Sequence, residues 1–221
     1  MNDDCASDLM FVSLLLGHQI FADIAGFTAW SSEREPYQVF KLLETIYSAF
    51  DSIAKHLGVF KVETIGDCYV AVTGLPDSNK EHAVVCAKFA YQCLLAMDQL
   101  TQQLELTLGP GTSELALRIG LHSGPVTAGV LRGEKSRFQL FGDTVNTASR
   151  MESTGQAGKI QVSGETAALI RQAGLQGLLS KRKDAVSAKG KGEMQVGALN
   201  ENELHLEIRN SHIIHRHIGS T

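Results

Sequence analysis

One feature most constrains what this chain can fold into: a long stretch with the apolar spacing of a helix, followed directly by a predicted β-hairpin. Apolar residues recur at three- and four-residue spacing between Pro36 and Gly58, which predicts an amphipathic helix that Gly58 ends. Two β-rich runs, 60–65 and 68–73, then flank a Gly-Asp pair, and this pattern predicts a hairpin. Because a hairpin pairs its strands antiparallel, the sheet is expected to be largely antiparallel.

The rest of the chain continues this mixture of strands and helices. In chain order we predict a strand at 18–23, a helix at 80–102, strands at 115–121 and 126–131 separated by a turn at 123–125, a strand at 138–141, a helix at 144–153, a strand at 159–162 and a helix at 164–172. Strands that follow strands are typical of an α+β domain. The predicted architecture is a mainly antiparallel central sheet flanked by helices.

Length and charge limit the classes of protein to consider. The 221 residues suffice for one buried core, and we expect an N-terminal extension at 1–17, one domain at 18–200 and a polar tail at 201–221. A net charge of −4 provides no basic stripe for nucleic acid. The tail holds several histidines; we interpret it as a frayed terminus, with metal binding as the alternative.

Neither a signal peptide nor a membrane span is predicted. The longest early apolar run, 10–16, is too short to cross a bilayer, and acidic rather than basic residues precede it. The four cysteines have no metal-ligand spacing, so we expect them to be reduced. These features predict a cytoplasmic domain with no membrane contact of its own, whose parent protein would carry any anchor elsewhere.

Two aspartates occupy positions where strands end or turn. Asp23 closes an apolar strand, and Asp67 lies at the tip of the predicted hairpin. An aspartate at a turn usually serves local hydrogen bonding, and each position alone has that ordinary interpretation. Two carboxylates on neighbouring strand ends are also what Mg²⁺ requires, since it is typically held by one or two carboxylates plus substrate phosphates.

Four stretches carry a more specific signal. They are FADIAGFT at 21–28, KVETIGDCY at 61–69, FGDTVNTASRM at 141–151 and KGKG at 189–192. In order and spacing they resemble the signatures of class III adenylate and guanylate cyclases, over about residues 18–195. The resemblance implies a ferredoxin-like core and an enzyme that converts a nucleoside triphosphate to its 3′,5′-cyclic monophosphate and pyrophosphate.

The resemblance also implies roles for single residues. Asp23 and Asp67 match the aspartates that bind two divalent metal ions, Mg²⁺ or Mn²⁺, with the backbone carbonyl of Ile24 as a further ligand. A pair four residues apart on one helix face, Asn146 and Arg150, matches the residues that orient the ribose and stabilise the charged phosphate. A lysine, Lys189, matches the residue that contacts the triphosphate.

Two further positions bear on the choice of base. Glu63 occupies the place where guanylate cyclases have Glu and adenylate cyclases have Lys. Its carboxylate accepts hydrogen bonds from guanine N1–H and the 2-amino group, whereas adenine N1 offers it no donor. Gln139 stands where mammalian-type guanylate cyclases have Cys and adenylate cyclases usually have Asp. Its amide suits either guanine O6 or the adenine 6-amino group, so it does not decide the base. GTP is the expected substrate, and ATP or mixed specificity is the alternative.

The family pattern further implies a head-to-tail homodimer with two composite sites. Asp23 and Asp67 would come from one protomer, and the base-recognition, Asn/Arg and lysine positions from the other. A non-catalytic module that only dimerises or binds nucleotide is the competing interpretation. Such a module should have lost an aspartate or a member of the Asn/Arg pair, and this chain keeps all of them.

Overall fold

The computed structural model describes residues 13–75, 81–131, 137–181, 186–188, 192–194, 196–200 and 202–206. Its strands are β1 (Ser13–Ala25), β2 (Phe60–Ile65), β3 (Cys68–Thr73), β4 (Ala116–Leu131), β5 (Arg137–Phe141), β6 (Ile160–Ser163), β7 (Leu179–Lys181), β8 (Val186–Ala188), β9 (Gly192–Met194) and β10 (Val196–Leu199). Its helices are α1 (Phe27–Ser32), α2 (Pro36–Leu57), α3 (His82–Leu108), α4 (Asp143–Ser153) and α5 (Gly164–Gln172).

One eight-stranded sheet organises the chain. Its strand order is β2-β3-β1-β4-β6-β10-β7, and β5 pairs with β4 outside this path. Strand β4 runs parallel to β6, whereas the other pairs of this sheet are antiparallel. The prediction of an α+β domain with a mainly antiparallel sheet is therefore confirmed.

The two faces of the sheet carry different helices. Alternate residues of a strand point to opposite faces, so Ile20 packs into the large core with α2 and α3, while Phe21 packs against Ala148 of α4. Helix α2 buries one residue per turn, at Leu42, Ile46, Phe50 and Ala54. We refer to these two sides of the sheet as the α2 face and the α4 face.

The predicted break in β4 is wrong. The chain does not turn at 123–125, because β4 pairs with β1 in continuous register from Ala116 to Ala128 and so stays extended. The carbonyl of Pro125 accepts a hydrogen bond from the Thr144 hydroxyl. Helix α3 is also longer than predicted and ends at Leu108, and α1 was not predicted.

The structure differs from the prediction at both ends of the domain. Strand β1 starts at Ser13 rather than at residue 18. At the other end, Leu204 is fully buried and the His205 Nδ1 lies 3.1 Å from the Tyr91 hydroxyl, so the start of the predicted tail packs on the domain.

Lys189 lies outside the described residues. Within the part of the chain that the structure describes, no helix has the length and apolarity needed to span a bilayer.

Helix α4 crosses β4 so closely that only glycine fits at the crossing, which generates a stability prediction. A Cβ at Gly120 would lie 2.5 Å from the carbonyl carbon of Met151 and closer still to the amide nitrogen of Glu152. Gly120→Ala should therefore lower the free energy of unfolding by at least about 3 kcal/mol. In urea denaturation the control Gly177→Ala, whose added methyl meets nothing within 4 Å, should change it by less than about 0.5 kcal/mol. Equal effects would contradict this packing.

Candidate active site

The pairing of β1 with β3 brings two carboxylates together. Asp23 is the register partner of Cys68, and Asp67 precedes Cys68 in the hairpin turn. This tight turn uses Gly66 in the left-handed region, at φ +63°. Burial, and then the neighbouring charge of Asp23, raise the pKa of the Asp67 carboxyl. The tip of the hairpin therefore holds Asp67 against a like charge.

An arginine on the central strand β4 connects Asp23 to helix α4. The Arg118 Nη2 donates to Asp23 Oδ2 at 3.0 Å, and its Nε donates to Glu152 Oε1 at 2.6 Å. Glu152 is only 7% exposed; burial raises the pKa of its carboxyl, and Arg118 opposes that shift. Three carboxylates, those of Asp23, Asp67 and Glu152, thus surround one guanidinium, which leaves an excess of negative charge.

Sequence reasoning did not identify Arg118 or Glu152. An arginine between two apolar strand residues ordinarily has the interpretation of a solvated side chain. Its partners lie 95 and 34 positions away along the chain, so no local spacing pattern relates it to them. Only the pairing of β1 with β4, which places Asp23 opposite Arg118, makes this contact visible.

The donor set fits a hard divalent cation that also binds a ligand's oxygens. Within the described ranges, no group of three or more His, Cys, Asp or Glu could by itself hold a metal ion. A carboxylate pair with an excess of negative charge matches the Mg²⁺ preference for one or two carboxylates completed by phosphate oxygens. Burial, and then Asp23, raise the pKa of the Cys68 thiol to about 12, so this thiol is protonated at neutral pH. Ile24 has an alkyl side chain without donor atoms, so its backbone carbonyl is the group that could bind a metal ion.

Helix α4 presents Asn146 and Arg150 on its outer side. Its inner side is fixed by Ala148 and Met151, both fully buried, and by the Thr147 hydroxyl, which donates to the Asp143 carbonyl at 2.8 Å. Asn146 is exposed and Arg150 is half-buried. Among the described residues the Arg150 guanidinium has no ion-pair partner.

A β-bulge directs Glu63 to the α4 face. Lys61 pairs with Ala71 but Glu63 pairs with Val70, so Val62 is an extra residue in β2. Cross-strand partners share a face, and Val70 packs on the α4 face. Without the bulge Glu63 would point to the α2 face, as Lys61 does.

Gln139 lies on β5, close to the strand that carries Glu63. It pairs with Gly129 of β4 and is half-buried. The rings of Phe60 in β2 and Phe138 in β5 are 5.0 Å apart. The structure thus brings together the strands of the two predicted base-recognition residues.

The burial of Asp67 and its repulsion by Asp23 generate a prediction about stability and pH. Because the Asp67 pKa is raised above its ordinary value of 3.8 in the folded state, the folded protein loses stability as the pH rises from that value through the raised pKa. Asp67→Asn should therefore increase the melting temperature at pH 7 in EDTA, and this gain should shrink towards pH 4.

The control for this prediction is Asp98→Asn, which changes an exposed carboxylate on α3. Its melting temperature should stay at the wild-type value. A lower melting temperature for Asp67→Asn at pH 7 would contradict the repulsion.

Both a family model and a curated protein match most of this chain. The family model described as the adenylate and guanylate cyclase catalytic domain matches residues 18–201. Human atrial natriuretic peptide receptor 2 is 47% identical over 176 residues, which are 79% of this chain and 16% of the receptor. The chain thus spans about a sixth of the length of this curated relative.

Two solved structures share the fold. The crystal structure of the guanylate cyclase domain of RhGC from Catenaria anguillulae in complex with GTP is 39% identical, with a TM-score of 0.71 over 84% of this chain and 96% of that one. The adenylyl cyclase CyaB from P. aeruginosa is 28% identical, with a TM-score of 0.78 over 86% and 96%. The chain belongs to the family of adenylate and guanylate cyclase catalytic domains.

Proposed function

We propose that this domain converts GTP to 3′,5′-cyclic GMP and pyrophosphate in a head-to-tail homodimer, with two divalent metal ions, Mg²⁺ or Mn²⁺, held by Asp23, Asp67 and the Ile24 carbonyl. The observation that carries the proposal is the excess of negative charge around the Asp23–Asp67 pair. When bound, the metal ions would lower the pKa of the ribose 3′-hydroxyl and stabilise the pyrophosphate leaving group.

The remaining residues position the substrate for in-line attack of the 3′-hydroxyl on the α-phosphate. Asn146 orients the ribose, and Arg150, which has no ion-pair partner among the described residues, stabilises the charge on the reacting phosphate. Lys189 contacts the triphosphate. Arg118 binds Asp23 and so fixes the orientation of that carboxylate.

One observation supports a site shared between two copies of the chain. Ile65, next to the hairpin tip, and Phe141, at the end of β5, are 57% and 46% exposed. Large apolar side chains beside polar site residues are typical of an interaction surface.

Glu63 favours guanine over adenine for the hydrogen-bonding reason given above, and the 39% identity to a guanylate cyclase domain crystallised with GTP supports the same choice. Gln139 is compatible with either base, so ATP remains the second candidate substrate. We further propose that the domain acts in the cytoplasm and that it is the catalytic part of a longer protein. Its match to only 16% of a receptor relative supports the second point.

Exchange of the base-recognition residues tests substrate choice. Wild type should prefer GTP when kcat/KM is measured with GTP and ATP in Mn²⁺. Glu63→Lys combined with Gln139→Asp should lower the GTP-to-ATP ratio at least about tenfold, because the new pair donates to adenine N1 and accepts from its 6-amino group. The matched charge change Glu44→Lys, on the exposed side of α2, should leave the ratio unchanged. A wild type that cyclises ATP faster at equal concentration would contradict the assignment of Glu63.

Complementation between inactive variants tests the shared site. Asp23→Ala and Arg150→Ala should each be nearly inactive, but an equal mixture forms heterodimers in which one of the two sites carries neither change. Random pairing makes about half of the dimers mixed, so roughly a quarter of wild-type activity should return. Mixing Asp23→Ala with Asp67→Ala should restore nothing, because both changes then disable the metal-binding half of each protomer. No recovery in the first mixture, although sizing shows heterodimers, would mean that each site lies within one chain.

A further inference from the structure

Strand β2 needs an external support for its bulge. It is the first strand in the sheet order, so within the described residues it pairs with one strand, β3, and the hydrogen-bond ladder holds it from that side alone. A slip of one residue in β2 would exchange its faces and turn Glu63 towards α2. Side-chain contacts between β2 and its neighbours therefore decide which register is the more stable.

Side chains of α2 and the hairpin make such a contact on the α2 face. Lys61 Nζ lies 2.8 Å from Asp51 Oδ1 and 2.9 Å from Oδ2. The hydroxyl of the fully buried Tyr69 donates to Asp51 at 2.8 Å. The Lys61 ammonium also lies 5.0 Å from the ring centre of Tyr69 and 5.9 Å from that of Tyr47. An exposed ion pair alone contributes little, but here the same carboxylate satisfies a buried hydroxyl.

A second contact holds the tip of the hairpin. The Tyr47 hydroxyl donates to the Gly66 carbonyl at 3.0 Å, and Gly66 directly precedes Asp67. This hydrogen bond joins the tip, and with it Asp67, to α2. We call Tyr47, Asp51, Lys61 and Tyr69 the hairpin clamp.

We propose that Tyr47 and Asp51 are positioning residues of the active site, which hold Asp67 for metal binding and Glu63 for base selection without touching either ligand. Asp51 anchors Lys61 on the α2 face, and the bulge that follows then directs Glu63 to the α4 face. Tyr47 holds the tip, and with it the Asp67 carboxylate. Both parts of the inference rest on the proposed function, the first on metal binding by Asp67 and the second on base selection by Glu63.

Two conservative variants test the clamp, and their readouts do not require turnover. Mn²⁺ binding is measured by electron paramagnetic resonance, and base preference by the ratio of dissociation constants for 3′-deoxy-GTP and 3′-deoxy-ATP, which lack the attacking hydroxyl. Tyr47→Phe should weaken Mn²⁺ binding about fivefold, the effect of one lost neutral hydrogen bond. Asp51→Asn removes the negative charge that pairs with Lys61 and should reduce the preference for the guanine analogue about two- to fivefold.

The control variant is Ser52→Ala, which removes an exposed hydroxyl that donates to the Ser48 carbonyl of the same helix. It should leave both readouts at the wild-type value. Melting temperatures separate positioning from general support. Variants that melt earlier but keep wild-type Mn²⁺ affinity and base preference would overturn the proposal, and so would variants without any change.

The outcomes also separate this inference from the proposed function. If wild type cyclises neither GTP nor ATP, the proposed function fails. The clamp then stands if Tyr47→Phe still weakens Mn²⁺ binding, and it falls if that affinity is unchanged.

Discussion

The proximity of two like charges is the constraint on which the rest of this structure depends. Pairing of β1 with β3 sets Asp23 beside Asp67, and such an arrangement needs both a mechanical support and a compensating cation. Support comes from α2, through the hydroxyl of Tyr47 on the Gly66 carbonyl. Compensation within the chain comes only in part from Arg118, which Glu152 shares. The charge left over is what a divalent cation and a triphosphate would complete.

The same strand pairing separates two functions within one hairpin. Its turn carries Asp67, whereas the bulge in β2 carries Glu63 towards the α4 face. A helix on each face then has a distinct role: α2 supports the hairpin from one side, and α4 carries Asn146 and Arg150 on the other. Base selection and metal binding thus share one structural unit, which explains why a contact remote from both ligands is expected to affect them.

Local patterns predicted some parts of this structure, but pairing between distant segments decided others. The helix α2 and the hairpin follow from helical spacing and a turn pair, which are local signals. Strand β4 was predicted to break at Pro125, but its partner β1 keeps it extended. The motifs identified Asp23 and Asp67, whereas Arg118 and the bulge became visible only once the strands were paired. A bulge is a property of register between strands, and a single strand's sequence does not reveal it.

Crystals of the wild-type domain grown with Mn²⁺ and 3′-deoxy-GTP offer the most direct test of the proposed site. Anomalous diffraction at the manganese edge locates the ions independently of the protein. The account predicts Mn²⁺ between the carboxylates of Asp23 and Asp67, with the guanine edge facing Glu63 of a second copy. Manganese bound elsewhere, or a nucleotide whose base contacts no Glu63, would contradict it.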